Sequence, residues 1–417
     1  MPRIFLAIIV LVALFLFEFY FFKKIRHSLS TLFPVKGLKL YKTIKIILLI
    51  TLNLYPVLLL LAWIYGSISG NRISTPENFF FDYLVVYPFW FSFLLLLQNV
   101  IYYFIIDIIK LLIFTWFKKN KVKLLSLQAK IVFVMLVFFA LYIPARIIFD
   151  YNVISTRIVE FKKSDLPKSL DNFRITFVSD MQADRYTDKA RLQKFIEDIN
   201  ATNPDLVLMA GDMITSTPEY IEESGEFVGK IKAKFGVYSC VGDHDNWAYR
   251  DDTKRSLREV MAALKKHDVE MISNDKKNIV VGEDSICVTF ITNTYVETVS
   301  PLTLDSLTNN SNDCGLKIFL THQPRQFLVD KAIEKKYDLF LAGHTHGGQI
   351  TMLFPFLHLS PTRFETKYQR GDFYFVNPDK IGAGMLMIVT RGLGMSLAPI
   401  RYNSTPEVTL IILKSES

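Results

Sequence analysis

Before about residue 150, four apolar stretches restrict what this chain can fold into more than any motif does. They are Ile4 to Phe22, with only Glu18 against it; Ile44 to Ile64; an irregular stretch within Tyr83 to Phe114 carrying Pro88, Gln98, Asn99 and Asp107; and Ile131 to about Ile148, which includes Pro144. Each is long enough to cross roughly 30 Å of hydrocarbon. No small-residue cleavage site follows the first stretch; Lys23, Lys24 and Arg26 do, which argues against a secretory signal peptide. With 51% hydrophobic residues and a mean hydropathy of +0.26, the 417-residue chain is too apolar for one soluble domain. Residues 1–150 therefore read as an all-α transmembrane domain of about four helices, and the chain as an integral protein of the cell membrane.

Basic residues set the expected orientation. Lys23, Lys24, Arg26, Lys36, Lys39 and Lys42 lie between the first two spans, and Lys118, Lys119, Lys121, Lys123 and Lys130 between the last two. The intervening loop offers only Arg72, with Glu77 and Asp82 nearby. Four spans put both basic loops in the cytoplasm and everything after Ile148 on the extracytoplasmic side. A re-entrant third stretch would reverse that. The net charge of +8 owes much to these loops, so the expected partner is the lipid bilayer, with no nucleic acid. Oligomeric state is left open.

From residue 151 to 417 the pattern becomes short apolar runs alternating with amphipathic segments. Strands are predicted at 173–179, 205–210, 236–241, 278–281, 285–292, 316–321, 337–342, 385–391 and 407–413, and helices at 189–200, 221–232 and 253–267. This alternation implies a layered α/β fold, in which ligands bind beyond the carboxyl ends of strands. At those ends stand Asp180, Asp212, Asp243-His244-Asp245, His322 and His344-Thr345-His346. A lone Asp after a strand is usually a cap or turn residue, and His27, His267 and His358 read as ordinary histidines. Five such placements in register make a metal-ligand set. Cys240, Cys287 and Cys314 fit no pairing or zinc spacing.

The ordered set resembles the calcineurin-like metallophosphoesterases, whose pattern is D-x-H, GD, GNHD, H, GHTH. The resemblance covers roughly Phe173 to Leu413. The longer string Gly343-His344-Thr345-His346-Gly347-Gly348-Gln349, with Arg391 to Gly394 and Pro399 to Arg401, is similar to the membrane-anchored bacterial branch. That branch includes phosphodiesterases and UDP-diacylglucosamine pyrophosphatase-like enzymes. The resemblance implies a β-sandwich flanked by helices and two divalent metal ions. Asp180 and His346 would hold one ion, Asp243, His322 and His344 the other, and Asp212 would bridge them with its two oxygens. His244 would contact the phosphoryl group or protonate the leaving group, oriented by Asp245.

Two positions depart from the family pattern. Gln182 stands where the family has His, and Asp243 where it has Asn. Gln182 either coordinates through its amide oxygen or leaves that position to water. One fewer imidazole and one more carboxylate favour Mn²⁺ or Mg²⁺, with Zn²⁺ or iron the alternatives.

The apolar run Met352 to Leu357, followed by Arg363, Lys367 and Arg370, suits a phosphorylated lipid or cell-envelope substrate, or else packs on its own domain. The expectation is a metal-dependent phosphoesterase. The competing readings are the same enzyme acting on soluble phosphodiesters, and a catalytically silent receptor or scaffold with a degenerate metal site.

Overall fold

The computed structural model describes residues 2–70, 76–249, 251–309, 314–354, 357–376 and 384–415, apart from the side chains of residues 2–8, 10, 11 and 117. The chain forms two compact units, Met1–Ile148 and Phe149–Ser417.

Long helices make up the first: α1 (Pro2–Leu32), α2 (Gly37–Ser69), α3 (Phe79–Leu112) and α4 (Lys121–Asn152). Among the described residues α2, α3 and α4 are long and apolar enough to cross a membrane. The expected span at Ile4 to Phe22 lies within α1, but the side chains of its first turns lie outside the described residues. The irregular stretch is one helix without a reversal. A π turn at Asp82–Val86 absorbs Pro88, whose ring would otherwise press on the preceding turn.

The polar residues of α3 are explained by its place in the bundle. Of its most apolar window 44% is buried, against 11% in α2 and 17% in α4, so α3 is the central helix. Its Ser92 meets Thr51 Oγ1 at 2.6 Å, and Asn99 donates back to the carbonyl of Leu95. Tyr103 donates to the carbonyl of Val132 on α4. Outward faces of α2 and α4 expose Leu, Ile and Phe side chains, as a helix in lipid must.

The second unit is a sandwich of two six-stranded sheets. One sheet contains β1 (Ser155–Lys163), β2 (Arg174–Val178), β3 (Leu206–Met209), β4 (Val237–Cys240), β5 (Val269–Ile272) and β12 (Glu407–Ser415), in the order β1-β12-β2-β3-β4-β5. The other contains β6 (Asp275–Val281), β7 (Asp284–Ile291), β8 (Leu316–Thr321), β9 (Leu339–Ala342), β10 (Gly371–Val376) and β11 (Gly384–Val389), in the order β10-β11-β9-β8-β7-β6. Strand alternation assigns the layers. Ile175, Phe177, Leu339 and Leu341 point into the core between the sheets, while Val178, Phe340 and Ala342 face the helices outside. Helices α5 (Lys189–Ala201), α6 (Ile221–Val228) and α7 (Thr253–Lys265) cover the first sheet, and α8 (Pro301–Thr308) and α9 (Gln326–Glu334) the second.

Strands β1, β5 and β10 and helices α8 and α9 were not legible as periodic runs. They are short or, like β1, lie at a sheet edge with alternate residues exposed. The cysteine reading needs correction. Cys287 and Cys314 form a disulfide with Cα atoms 5.9 Å apart. Parallel pairing of β7 and β8 sets Ile286 opposite Leu316, which brings the two cysteines together across 27 residues of sequence. Cys240 is free and buried.

Candidate metal centre

Parallel strands β2, β3 and β4 end at one edge of their sheet, and β8 and β9 at the matching edge of theirs. The loops after them carry Asp180, Gln182, Asp212, Asp243 and His244 from one sheet, and His322, His344 and His346 from the other. Five of these residues have a left-handed backbone: Asp180 (φ 54°), Gln182 (50°), Asp212 (60°), His344 (72°) and His346 (49°). For residues with a Cβ this costs on the order of 1 kcal/mol each, and such strain gathers where side chains must be aimed. Cross-loop amide bonds hold the turns, from Asp180 to the carbonyl of Gly211 and from Gln182 to that of Asp212. Gly242 is required by proximity, since a Cβ there would overlap the Asp212 carboxylate.

The side chains converge on two groups. Asp180, Asp212 and His322 form one, and Asp243, His322 and His344 the other, with candidate ligand atoms within 4.8 Å of one another in each. His322 Nε2 lies 3.3 Å from both Asp212 Oδ2 and Asp243 Oδ2. His344 Nδ1 is 2.9 Å from Asp243 Oδ2, and His346 Nε2 is 3.4 Å from Asp180 Oδ1. Asp212 does not offer both oxygens equally. Its Oδ1 accepts the amide of His244 at 2.8 Å, leaving Oδ2 to face Gln182 and His322.

The donor set fits two divalent cations. Asp180 Oδ1 and Gln182 Oε1 are buried with no hydrogen-bond partner, a costly state for two oxygens unless a ligand completes them. His322 gives Nδ1 to the carbonyl of Ala210 at 2.6 Å, which turns the Nε2 lone pair into the site. Burial disfavours charge on His322, but the Asp212 and Asp243 carboxylates outweigh it and raise its pKa well above 6.5. His344 is likewise desolvated, yet Asp243 and Glu365 push it up to about 9. The carboxylate charge that raises both imidazoles is the charge that would draw cations into the site. His346 goes the other way: burial, then the Arg401 charge, holds it well below 6.5 and neutral, the form in which imidazole ligates metal.

Gln182 and Asp243 are integrated. Gln182 Nε2 donates to Asp212 Oδ2 at 2.8 Å, so its amide oxygen is the one left for a ligand. The added charge of Asp243 is met by Gln323 Nε2 (2.8 and 2.9 Å) and the amide of Tyr295 (2.7 Å). Desolvation would raise its pKa, but His322 and His344 hold it far below the usual carboxylate range. Asp245 does something other than expected. Its carboxylate accepts the amides of Gly242, Asp212 and Met213, and burial together with the Asp212 charge pushes its pKa up to about 6. The ring of His244 is oriented instead by the carbonyl of Thr215 at Nδ1, with Nε2 3.0 Å from Ser396 Oγ.

Glu365 had no sequence signal, whereas Gln349, Arg391 and Arg401 stood in the quoted strings without an expected contact. Glu365 Oε1 bonds His344 Nε2 (3.0 Å), Tyr295 (2.5 Å) and Arg325 (2.7 Å). Gln349 binds the carbonyls of Ser396 and Ala398, fixing the loop that meets His244. Arg401 is fully buried and donates to the carbonyls of Gly394, Arg391 and Ser404. Arg391 pairs with Glu407 and Ser155, a structural role. In the apolar run after the GHTH turn, Pro355 and Phe356 lie outside the described residues.

Residues 173–348, which carry the candidate ligands Asp180 to His346, match the calcineurin-like phosphoesterase family. Those residues form a calcineurin-like phosphoesterase domain. The chain is similar to a transmembrane protein with metallophosphoesterase domain from Danio rerio, 26% identical over 270 residues (61% of this chain, 56% of that protein). The uncharacterized metallophosphoesterase YkuE of Bacillus subtilis is 28% identical over 282 residues (63% and 87%), and Cj0846 of Campylobacter jejuni 24% over 318 residues (74% and 76%). The chain thus spans little more than half the length of the Danio rerio relative.

Proposed function

We propose that this chain is a membrane-anchored phosphohydrolase that uses two divalent cations to cleave a phosphoester or phosphodiester bond of a lipid-linked or cell-envelope substrate. The observation that carries the reading is the pair of orphaned buried oxygens, Asp180 Oδ1 and Gln182 Oε1, facing a cluster of carboxylates and imidazoles. Asp180, Gln182 and His346 would hold one cation, Asp243, His322 and His344 the other, with Asp212 Oδ2 between them. Two cations there would supply Lewis acidity to a phosphoryl oxygen and acidify a water. The oxygen-rich set favours manganese or magnesium. His244 gives Nδ1 to Thr215, which leaves Nε2 to contact a phosphoryl oxygen or move a proton to the departing oxygen.

Two exposed apolar side chains support a lipid-linked substrate. Leu397 is 97% exposed and follows Ser396, which touches His244. Phe364 is 95% exposed and precedes Glu365, which touches His344. Side chains like these at the rim gain by meeting acyl chains. The Cys287–Cys314 disulfide supports an extracytoplasmic position, as do the basic loops. A membrane-impermeant alkylating reagent should reach Cys287 from outside intact cells once reductant is added; labelling only after lysis would reverse the orientation.

The test is hydrolysis of a chromogenic phosphodiester by the full chain in detergent, with Mn²⁺, Mg²⁺ and Zn²⁺ separately, beside Asp212→Asn. Metal-stimulated turnover lost in the variant is expected. A phospholipid in mixed micelles then gives a ratio of micellar to soluble turnover, which Leu397→Ser should lower. Absence of turnover with every metal from a folded protein would sink the enzyme reading and leave binding of a phosphorylated ligand.

A further inference from the structure

The membrane unit contains a cavity of about 530 Å³ that the phosphohydrolase reading does not use. Each of three helices lends it one face. From α1 come Tyr20, Lys23, Lys24 and His27, spaced at three, four and seven residues, the interval that stacks side chains on one side of a helix. Asp107, Lys110 and Leu111 of α3 repeat that interval, and Leu125, Gln128 and Val132 of α4 complete the wall.

Its chemistry is lopsided. Three lysines and a histidine line the cavity, against the single carboxylate of Asp107. That carboxylate already takes three donors: Lys24 Nζ lies at 2.5 Å, Tyr20 Oη at 2.8 Å and Gln128 Nε2 at 3.1 Å. Asp107 fixes Lys24 in place, and no second carboxylate stands among the lining residues beside Lys23 and Lys110. Charged side chains on membrane helices are costly and persist where they have a use. Beside them stand Leu111, 71% exposed, and Phe114, 60% exposed, apolar surface continuous with a basic pocket. A phosphate with acyl chains attached satisfies both features, and basic pockets between membrane helices suit such headgroups.

We infer that this cavity binds the phosphate of an anionic phospholipid, with Lys23, Lys24 and Lys110 around the headgroup and the chains along Leu111 and Phe114. The inference does not depend on what the metal centre hydrolyses. Under the orientation proposed above, this end of the bundle faces the cytoplasm, the side richer in anionic lipid.

The experiment uses the full chain in a non-ionic detergent, read by melting temperature and by lipid retained in native mass spectrometry. Phosphatidylglycerol, phosphatidylcholine and inorganic phosphate are added separately. Phosphatidylglycerol should be retained and raise the melting temperature, while the other two should not. The double variant Lys23→Gln, Lys110→Gln should need about tenfold more phosphatidylglycerol for the same shift. An unchanged circular-dichroism spectrum and lipid-free melting temperature in the double variant separate a lost site from a variant that fails to fold. Protection by inorganic phosphate alone would overturn the lipid assignment in favour of a soluble anion. Equal retention of both phospholipids, or an unchanged requirement in the double variant, would overturn the site itself.

Discussion

The two halves of the metal centre are held in different ways. Around Asp180, Gln182 and His346 the geometry comes from backbone: all three sit at positive φ, and two of them keep a buried oxygen unpartnered. Around Asp243, His322 and His344, of which only His344 has a positive φ, side chains supply the bracing. Gln323 grips Asp243, Glu365 grips His344, and Tyr295 and Arg325 grip Glu365. One half stores strain and waits for a ligand; the other is braced before any ligand arrives. The difference matters for function because a braced half can keep its geometry when empty, whereas the strained half gains most from binding.

Paired substitutions test that contrast most directly. Gln182→Ala and Glu365→Gln should each weaken metal binding by about 10–100-fold, the scale expected for groups supporting a metal site. Stepwise titration with Mn²⁺, followed calorimetrically, should show the two variants losing different steps. If both weaken the same step, the halves are not independent. A smaller change is expected from Asp243→Asn. It removes one carboxylate charge from the braced half and should shift the order of activation toward Zn²⁺, with turnover kept within about tenfold. Unchanged metal preference would mean that Gln323 and Tyr295 already neutralise the extra charge.

The smallest effect concerns pH in the metal-free protein. Burial would raise the Glu365 carboxyl, but His344 outweighs it and lowers the pKa from 4.5 to about 2. Its contribution to stability is present above pH 4.5 and is lost as pH falls toward 2. His344 is raised from 6.5 to about 9, so its share is complete below pH 6.5 and is lost as pH rises through 9. In EDTA the wild type should therefore hold a stability plateau between about pH 4.5 and 6.5 that Glu365→Gln flattens. Melting curves across that range check it, and superimposable profiles would show that the contact contributes nothing.

Legibility in the sequence followed range. The candidate ligands at the strand ends could be located because each stands just after its own apolar run, as Asp212 does after β3 and His344 after β9. Gln349 was visible as part of a string, but its grip on the 396–398 loop was not. Glu365 lies 21 residues from His344 and 70 from Tyr295, and no local pattern links them. Asp245 shows the opposite failure. Adjacency to His244 suggested a contact, whereas the turn directs its carboxylate to three backbone amides.

By itself the sequence determined that the first 150 residues make helices for a membrane, that an α/β unit follows, and which side chains gather at its strand ends. Those outcomes rest on hydrophobic periodicity and on residues adjacent to it, which are local properties. The tertiary structure alone decided that Cys287 meets Cys314, that Glu365 reaches His344, and that Lys24 finds Asp107 across the bundle. Each joins residues on different strands, loops or helices, and only the packing of sheet on sheet and helix on helix specifies which of them come within bonding distance.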